Sequence, residues 1–148
     1  MKITLLTFLG MIPFSNPAVP NPPNLPNPAV VNCADNGGIH EILESDAGQL
    51  GACRVEGGLI GSWTLYREMN GTKSTAVEKF FNKEAFTWPG YGNPAAHYCS
   101  QVGGSIKTYE SEAGQTGFCE FEDGSTINQW TLFGGSEENE KLADLFVD

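Results

Sequence analysis

Four cysteines are the residues of this chain whose type and spacing point most directly to a chemistry. They are Cys33, Cys53, Cys99 and Cys119, and nineteen residues separate the members of each pair. A zinc site usually places its ligands in pairs only a few residues apart, so we expect no metal centre and no cofactor. An even number of cysteines in a small exported chain indicates disulfide bonds instead.

Acid–base and nucleophilic catalysis have weaker candidates. A nucleophile needs a base held beside it. His40 and His97 do not correspond between the copies, the cysteines are expected to be oxidised, and Ser62 and Ser100 have no elbow or triad setting. A glycosidase needs two carboxylates that face each other across a cleft, for which small modules offer little room. The clustered carboxylates are Glu44, Asp46, Glu110, Glu112, Glu120, Glu122 and Asp123. We interpret them as solvated charges and predict that the chain is not an enzyme.

An internal repeat dominates the organisation of the sequence. Residues 27–53 align without a gap to residues 93–119, at a constant offset of 66 residues. Both copies read N-P-A, a cysteine, G-G, E-S-x-A-G-Q-x-G and a second cysteine, and both continue to a W-T-L motif at Trp63 and Trp130. Matches of this density at a single offset indicate a duplicated module.

Local signals predict one short helix and three strands in each copy. Asn27 and Asn93 are suited to cap a helix, each is followed by a proline, and paired glycines end the helix. The predicted strands are residues 39–44, 52–55 and 63–66 in the first copy and residues 106–110, 118–121 and 130–133 in the second. The expected fold is α+β, with two tandem small modules, each a short helix packed on a three-stranded antiparallel sheet.

Each module needs a covalent staple, because a domain of about 40 to 45 residues rarely stays folded on its core alone. A Cys33–Cys53 bridge and a Cys99–Cys119 bridge would each tie the helix to the second strand. Closing a loop of about 20 residues is worth roughly 3 kcal/mol in the chain-entropy model. We expect Trp63 and Trp130 to supply the largest apolar piece of each core.

The beginning of the chain has the features of an export signal. Lys2 precedes an apolar run over residues 3–14, which is too short to span a bilayer and fits the core of a signal peptide. We assign residues 1–18 to a signal peptide and expect a secreted or periplasmic protein. The Asn70-Gly71-Thr72 pattern makes Asn70 a glycosylation acceptor if the source organism glycosylates exported proteins.

Composition divides the rest of the chain. Within the connection between the copies, Thr75 and Glu78 match a capping box ahead of a helix over residues 76–86. Apolar residues near the end of the chain are able to dock locally. The predicted segments are a Pro/Asn-rich linker (19–26), the first module (27–69), a linker with a helix (70–92), the second module (93–135) and an acidic tail (136–148).

The formal net charge of −10 limits the partners. A nucleic acid would be repelled by this charge, so we expect no nucleic-acid partner. No segment after the leader is apolar enough for a stable membrane span. The expected partner is an unidentified protein or surface ligand.

The repeated motifs resemble a known family. The succession N-P-A, Cys, G-G, A-G-Q-x-G-x-Cys and W-T-L, over residues 27–67 and 93–135, resembles the small bacterial export domain called domain of unknown function 333. Its members are often labelled putative hemolysins or lipoproteins, and many carry a further cysteine where this chain has Ile60 and Ile127. The resemblance implies one possible disulfide per module and no catalytic residue. No long amphipathic or apolar segment supports the hemolysin label.

A non-catalytic binding or envelope-associated protein is the function we predict, and two copies would allow two-point attachment. Three alternatives stay open. A proteinase inhibitor would present a rigid loop at residues 56–62 or 122–129. A membrane-active, hemolysin-like protein would act on bilayers, and a small hydrolase would use a pocket around His97.

Overall fold

The computed structural model describes residues 26–147, so the predicted signal peptide and all but the last residue of the Pro/Asn-rich linker lie outside the described residues. The helices are α1 (Pro28–Asp35), α2 (Ser62–Met69), α3 (Thr75–Phe81), α4 (Pro94–Gln101), α5 (Gln129–Glu138) and α6 (Glu140–Asp144). The strands are β1 (Ile39–Ser45), β2 (Gly48–Val55), β3 (Gly58–Gly61), β4 (Ser105–Ser111), β5 (Gly114–Glu120) and β6 (Thr126–Asn128). None of the helices within residues 26–147 has the length and apolar character needed to cross a bilayer.

The first helix of each copy begins as predicted. The side-chain oxygen of Asn27 accepts a hydrogen bond from the Ala29 N–H at 2.8 Å, and that of Asn93 accepts one from the Ala95 N–H at 2.8 Å. A proline follows each cap at the first helical position, where its missing N–H leaves no bond unmade. The repeated N-P-A motif is therefore a helix start in both copies.

The two copies form one six-stranded closed barrel, so the prediction of two separate three-stranded sheets is wrong. The strand order around the barrel is β1-β2-β3-β6-β5-β4. The copies meet at two antiparallel seams, where Ile60 pairs with Ile127 and Glu44 pairs with Glu110. A three-stranded sheet leaves two edges with unpaired backbone groups, and closing both sheets into one barrel covers those edges.

The predicted third strands are also wrong, because both W-T-L motifs lie at the start of helices. The third strands are β3 and β6, directly before the motifs, and the Asn128 side chain caps α5 by accepting from the Trp130 and Thr131 N–H groups. Helical geometry turns the tryptophans outward: Trp63 is 40% exposed and Trp130 50%. They do not form the centre of the core, which leucines and phenylalanines fill instead.

Alternation along the strands creates two cores. Cys53 and Cys119 are tied to helices α1 and α4, so their face of the sheet is the outside of the barrel. The opposite face is the inside. The interior cluster consists of Leu43, Ala52, Leu59, Tyr109 and Phe118. The outer cluster contains both disulfides together with Ile60, Leu65, Phe80, Tyr98, Ile127, Leu132 and Leu142.

Two threonines of the W-T-L motifs join the copies to each other. The Thr64 hydroxyl accepts from the Thr126 N–H, and the Thr131 hydroxyl accepts from the Leu59 N–H, both at 3.0 Å. The arrangement is reciprocal, since each threonine satisfies a backbone donor of the other copy's third strand. All of these groups are buried, and a buried donor without a partner is costly.

Replacing Thr131 with valine is expected to lower the free energy of unfolding by about 1–3 kcal/mol, because the buried Leu59 N–H loses its acceptor. Urea unfolding monitored by circular dichroism measures the change. Thr131→Ser keeps the hydroxyl and is the matched control. Equal stability of the valine and serine variants would show that the hydrogen bond does not hold the copies together.

The connection and the tail are parts of the same core. Helix α3 is capped by Ser74 rather than Thr75, since the Ser74 hydroxyl accepts from the Val77 N–H. It ends at Phe81, so the helix predicted over residues 76–86 is too long. Phe86 lies beyond its end and packs edge-on against Phe133.

In the predicted acidic tail, Leu142 is fully buried, and Leu145 and Phe146 are partly buried against the outer cluster.

Candidate functional site

All four cysteines are buried and form the predicted pairs. Cys33 is bonded to Cys53 and Cys99 to Cys119, each with the two Cα atoms 5.7 Å apart. Each bridge joins the first helix of a copy to its second strand, as predicted. The cysteines are thus structural, and their sulfur atoms are not free to act as nucleophiles or metal ligands.

The second glycine of each G-G pair makes room for the disulfide. A Cβ atom on Gly38 would overlap Sγ of Cys53, and one on Gly104 would overlap Sγ of Cys119. The first glycines, Gly37 and Gly103, have φ of 83° and 99°, where glycine is favoured after a helix. The sequence prediction explained the first glycine of each pair and missed the steric role of the second.

The two histidines lie in different surroundings. The side chains of His40 and Ser62 both lie above Gly51. A Cβ atom added to Gly51 would be 2.9 Å from His40 Nε2 and 3.9 Å from Ser62 Oγ. Ser62 is only 1% exposed, so its hydroxyl is not accessible to a substrate. His97 Nε2 contacts the Tyr91 carbonyl oxygen at 3.0 Å, and the depression beside it is lined by residues that include Asn93, Ser100 and Ile106.

The acidic residues are dispersed over turns and seams. Glu44 and Glu110 face each other across the β1–β4 seam, and the Glu44 carboxylate accepts from the Gln49 amide at 3.0 Å. Within residues 26–147, no group of three or more histidine, cysteine or acidic side chains is arranged to hold a metal ion. The carboxylate pairs predicted to be solvated are exposed at Glu44, Asp46, Glu110, Glu112, Glu122 and Asp123 and half-buried at Glu120.

The two segments considered as inhibitory loops are mostly buried. Gly58–Gly61 is strand β3 and is buried throughout, and Thr126–Asn128 is strand β6 and is buried as well. Only Glu56 and Gly57 in the first copy, and residues 122–124 in the second, are exposed. These turns are too short to present an extended loop to a proteinase.

Asn70, the predicted glycosylation acceptor, is exposed at the C-terminal cap of α2. Its side-chain amide donates to the Tyr66 carbonyl oxygen at 2.7 Å, and Gly71 follows with φ of 97°. The side chain is therefore on the surface but engaged with its own helix. Its glycosylation remains a prediction.

A small cavity opens at one mouth of the barrel, where the two copies meet. Its volume is about 200 Å³. Its lining includes Arg54 of the first copy and Thr116, Asn128, Trp130, Glu138 and Asn139 of the second. The register explains their convergence: Arg54 pairs with Leu59, Thr116 with Tyr109 and Asn128 with Phe118, so all three lie on the face of the interior cluster.

The hydrogen bonds at this mouth fix some polar groups and leave others available. The Asn128 amide donates to the Thr116 hydroxyl at 2.8 Å while its oxygen caps α5. Arg54 Nε donates to Glu41 at 2.6 Å. A guanidinium carries five N–H donors, so Arg54 retains donors for a ligand. The Glu138 carboxylate and the Asn139 side chain complete a lining with both donors and acceptors.

The opposite mouth is related by the repeat but differs in chemistry. There the positions of Thr116, Asn128 and Trp130 are taken by Leu50, Gly61 and Trp63. An ion pair lies beside each mouth, with its acid and base at exchanged positions. Glu41 pairs with Arg54 in the first copy, whereas the corresponding residues of the second are Lys107 and Glu120, 3.3 Å apart. Burial, and then the charge of Glu120, raises the pKa of Tyr109 inside the barrel. The mouth beside Trp130 therefore has two polar side chains, Thr116 and Asn128, where the other mouth has Leu50 and Gly61.

Comparison with known proteins gives the family. Residues 24–69 and 90–136 each match the family described as Domain of unknown function (DUF333). The chain belongs to the DUF333 family, with two tandem copies. It is 36% identical over 44 residues to the "Uncharacterized protein YoaF" of Escherichia coli strain K12, and the same identity is found with YoaF of Shigella flexneri.

The aligned stretch covers 30% of this chain and 52% of YoaF, so the chain spans about half the length of the curated relatives it matches. No solved structure matches this chain significantly. The DUF333 assignment confirms the resemblance noted in the sequence. The family description and these relatives name no ligand or activity, so any function rests on the chemistry of the site.

The residues that line this mouth of the DUF333 barrel were missed in the sequence analysis. Thr116 and Asn128 read as ordinary strand and turn residues, and Trp130 was expected in the core. A comparison of the two copies could have indicated these positions. The tryptophans match, but Leu50 and Gly61 of the first copy correspond to Thr116 and Asn128 of the second.

Asp123, in the β5–β6 turn of the second DUF333 copy, holds helix α3 against that copy. Its carboxylate accepts from the Thr75 N–H at 2.8 Å and from the N–H and hydroxyl of Ser125 at 3.0 and 2.6 Å. Burial alone would raise the pKa of Asp123. The hydrogen bonds from Ser125 and Thr75 outweigh it and lower the pKa to about 2.

We expect the stabilisation from Asp123 to be lost in acid. Because the folded pKa is below the ordinary value of 3.8, the contribution is complete above about pH 5 and fades as the pH falls through 4 toward 2. Solvent screening of this exposed group limits it to about 1 kcal/mol. Urea unfolding at pH 7 and pH 2.5 should show Asp123→Asn destabilised at pH 7 but close to the wild type at pH 2.5. The same difference at both pH values would contradict the assignment.

Proposed function

We propose that this DUF333 protein is an exported, non-catalytic binding protein whose ligand site is the barrel mouth beside Trp130. The observation that carries the proposal is a half-exposed tryptophan next to a polar cavity that both copies build. A concave site with an aromatic wall and a few converging polar groups is the usual form of a small-ligand site.

The lining favours a neutral ligand that bears several hydroxyl groups, such as a saccharide ring. A hydroxyl both donates and accepts, and the mouth offers donors from Arg54 and acceptors from Glu138. The charge of Arg54 is already offset by Glu41, and the net charge of −10 disfavours anions. The Trp130 ring supplies a flat apolar surface for the ring of the ligand.

A secreted or periplasmic location supports this role. The predicted leader and the two disulfides are both typical of exported proteins. A non-catalytic role is supported by the buried Ser62 hydroxyl and by the disulfide bonds of the four cysteines, which remove these groups as nucleophiles. We propose a single binding site rather than two-point attachment, because the second mouth has Leu50 and Gly61 in place of Thr116 and Asn128.

Nuclear magnetic resonance tests the proposal, since the three tryptophans give three indole N–H signals. The ¹⁵N-labelled protein is titrated with a panel of neutral, amino and acidic oligosaccharides. We expect a neutral member to shift the Trp130 indole and the Thr116 and Asn128 amides. Trp130→Ala should abolish binding, whereas Trp63→Ala, the matched control at the other mouth, should retain it. No shift with any member, or equal loss in both variants, would overturn the proposal.

A further inference from the structure

A second and larger concavity lies along helix α3, beside the β5–β6 turn. We call it the α3 groove; its volume is about 590 Å³. It runs between helix α3 and the end of the described chain. The residues that matter for its chemistry are Glu68, Lys73, Glu78, Phe81, Phe146 and Val147.

The floor of the α3 groove is aromatic. The Phe81 and Phe146 rings pack edge to face with centroids 6.0 Å apart, and Phe80 supports both from the core. Phe81 and Phe146 are only partly buried, and Val147 is exposed. The core fills one side of these rings and leaves the groove side open to an apolar side chain.

The rim of the α3 groove is negative. Glu68, Glu78 and Asp123 bring three carboxylates to it, against the single ammonium group of Lys73. The Glu68 side chain is only 7% exposed and is held by the Ser74 N–H at 2.9 Å, whereas Lys73, 3.6 Å away, is 91% exposed. A well-solvated lysine screens a buried carboxylate weakly, so the rim keeps an unbalanced negative charge.

We infer that the α3 groove binds a basic peptide segment that inserts an apolar side chain between Phe81 and Val147. The apolar floor takes the inserted side chain, and the exposed carboxylate of Glu78 faces a neighbouring lysine or arginine side chain. The buried Glu68 carboxylate adds negative charge behind the rim. Charge complementarity selects this occupant: three carboxylates against one ammonium group repel an acidic segment and attract a basic one, and they give an uncharged segment no such gain. This groove is separate from the barrel mouth, so the inference does not rest on the saccharide site.

Fluorescence anisotropy with labelled heptapeptides tests the inference on the whole chain. The probe alternates lysine and leucine; the comparison peptides alternate lysine with serine and glutamate with leucine. We expect binding of the lysine–leucine peptide, at least tenfold weaker binding of the other two, and weakening by added salt.

Three variants locate the binding. Glu78→Gln removes an exposed rim charge and should weaken the lysine–leucine peptide about threefold, and Val147→Ser should weaken it through the apolar floor. Glu112→Gln removes one exposed charge outside the groove and should leave affinity unchanged. Equal affinity of all three variants, equal binding of the three peptides, or no binding at millimolar protein would overturn the inference. Circular dichroism confirms that each variant is folded.

Discussion

Replacing Cys99 and Cys119 together with alanine should lower the free energy of unfolding by about 3 kcal/mol. The bridge closes a loop with a sequence separation of 20 and is fully buried between helix α4 and strand β5. Without it, the unfolded chain regains the entropy that the cross-link removes. Guanidinium unfolding of the wild type and the double variant measures the loss.

The equivalent Cys33→Ala/Cys53→Ala variant provides the matched comparison. Because both disulfides belong to one outer core, either double variant should shift a single cooperative transition of the whole chain. Reduction of the wild type should destabilise it in the same direction. A double variant as stable as the wild type, or one copy that unfolds while the other stays folded, would contradict this description.

Replacing Leu142 with alanine should cost about 2–5 kcal/mol, the range for large-to-small changes in a core. Leu142 is fully buried although it lies in the acidic end of the chain, and its side chain packs over strand β3: a Cβ on Gly58 would be 3.1 Å from Leu142 Cδ2. Truncation leaves a cavity between helix α6 and the barrel. The midpoint of urea unfolding measures the cost.

Lys141→Ala is the control, since Lys141 is exposed on the same helix turn. It changes the charge of the tail without touching the core, so its effect should stay within about 0.5 kcal/mol. If Leu142→Ala and Lys141→Ala were equally stable, the tail would not be part of the folded core.

The features that sequence predicted well are those fixed by short-range chemistry or covalent spacing. The Asn27 and Asn93 caps depend on a few neighbouring residues, and the two disulfides follow from the duplicated cysteine spacing. The W-T-L motifs were misassigned because tryptophan and threonine favour strands locally. The tertiary hydrogen bonds of Thr64 and Thr131 require helical positions there.

Barrel closure and the candidate site could not be predicted in the same way. Each seam rests on a single register pair, Ile60 with Ile127 and Glu44 with Glu110, between residues far apart in the chain. The polar mouth exists only once the copies are joined, because Arg54 comes from one copy and Asn128 from the other. The sequence of one copy alone therefore predicts neither the closed barrel nor the polar mouth.

Duplication also explains how one mouth could diverge. Glu41 and Arg54 correspond to Lys107 and Glu120, so each copy keeps an ion pair while the positions of acid and base are exchanged. The strand framework is thus preserved on both sides. The two mouths differ at other positions, where the first copy has Gly61 and the second has Asn128.

Cross-linking across the β1–β4 seam tests barrel closure most directly. Glu44 and Glu110 are exposed register partners in the two copies, and cysteines placed at directly opposite strand positions are near enough to bond. After mild oxidation of Glu44→Cys/Glu110→Cys, mass spectrometry of the digest should find one disulfide-linked peptide joining residues 44 and 110, whereas the unpaired control Glu56→Cys/Glu110→Cys should give none. Free thiols at both 44 and 110 in the folded protein would contradict a single barrel built from two copies.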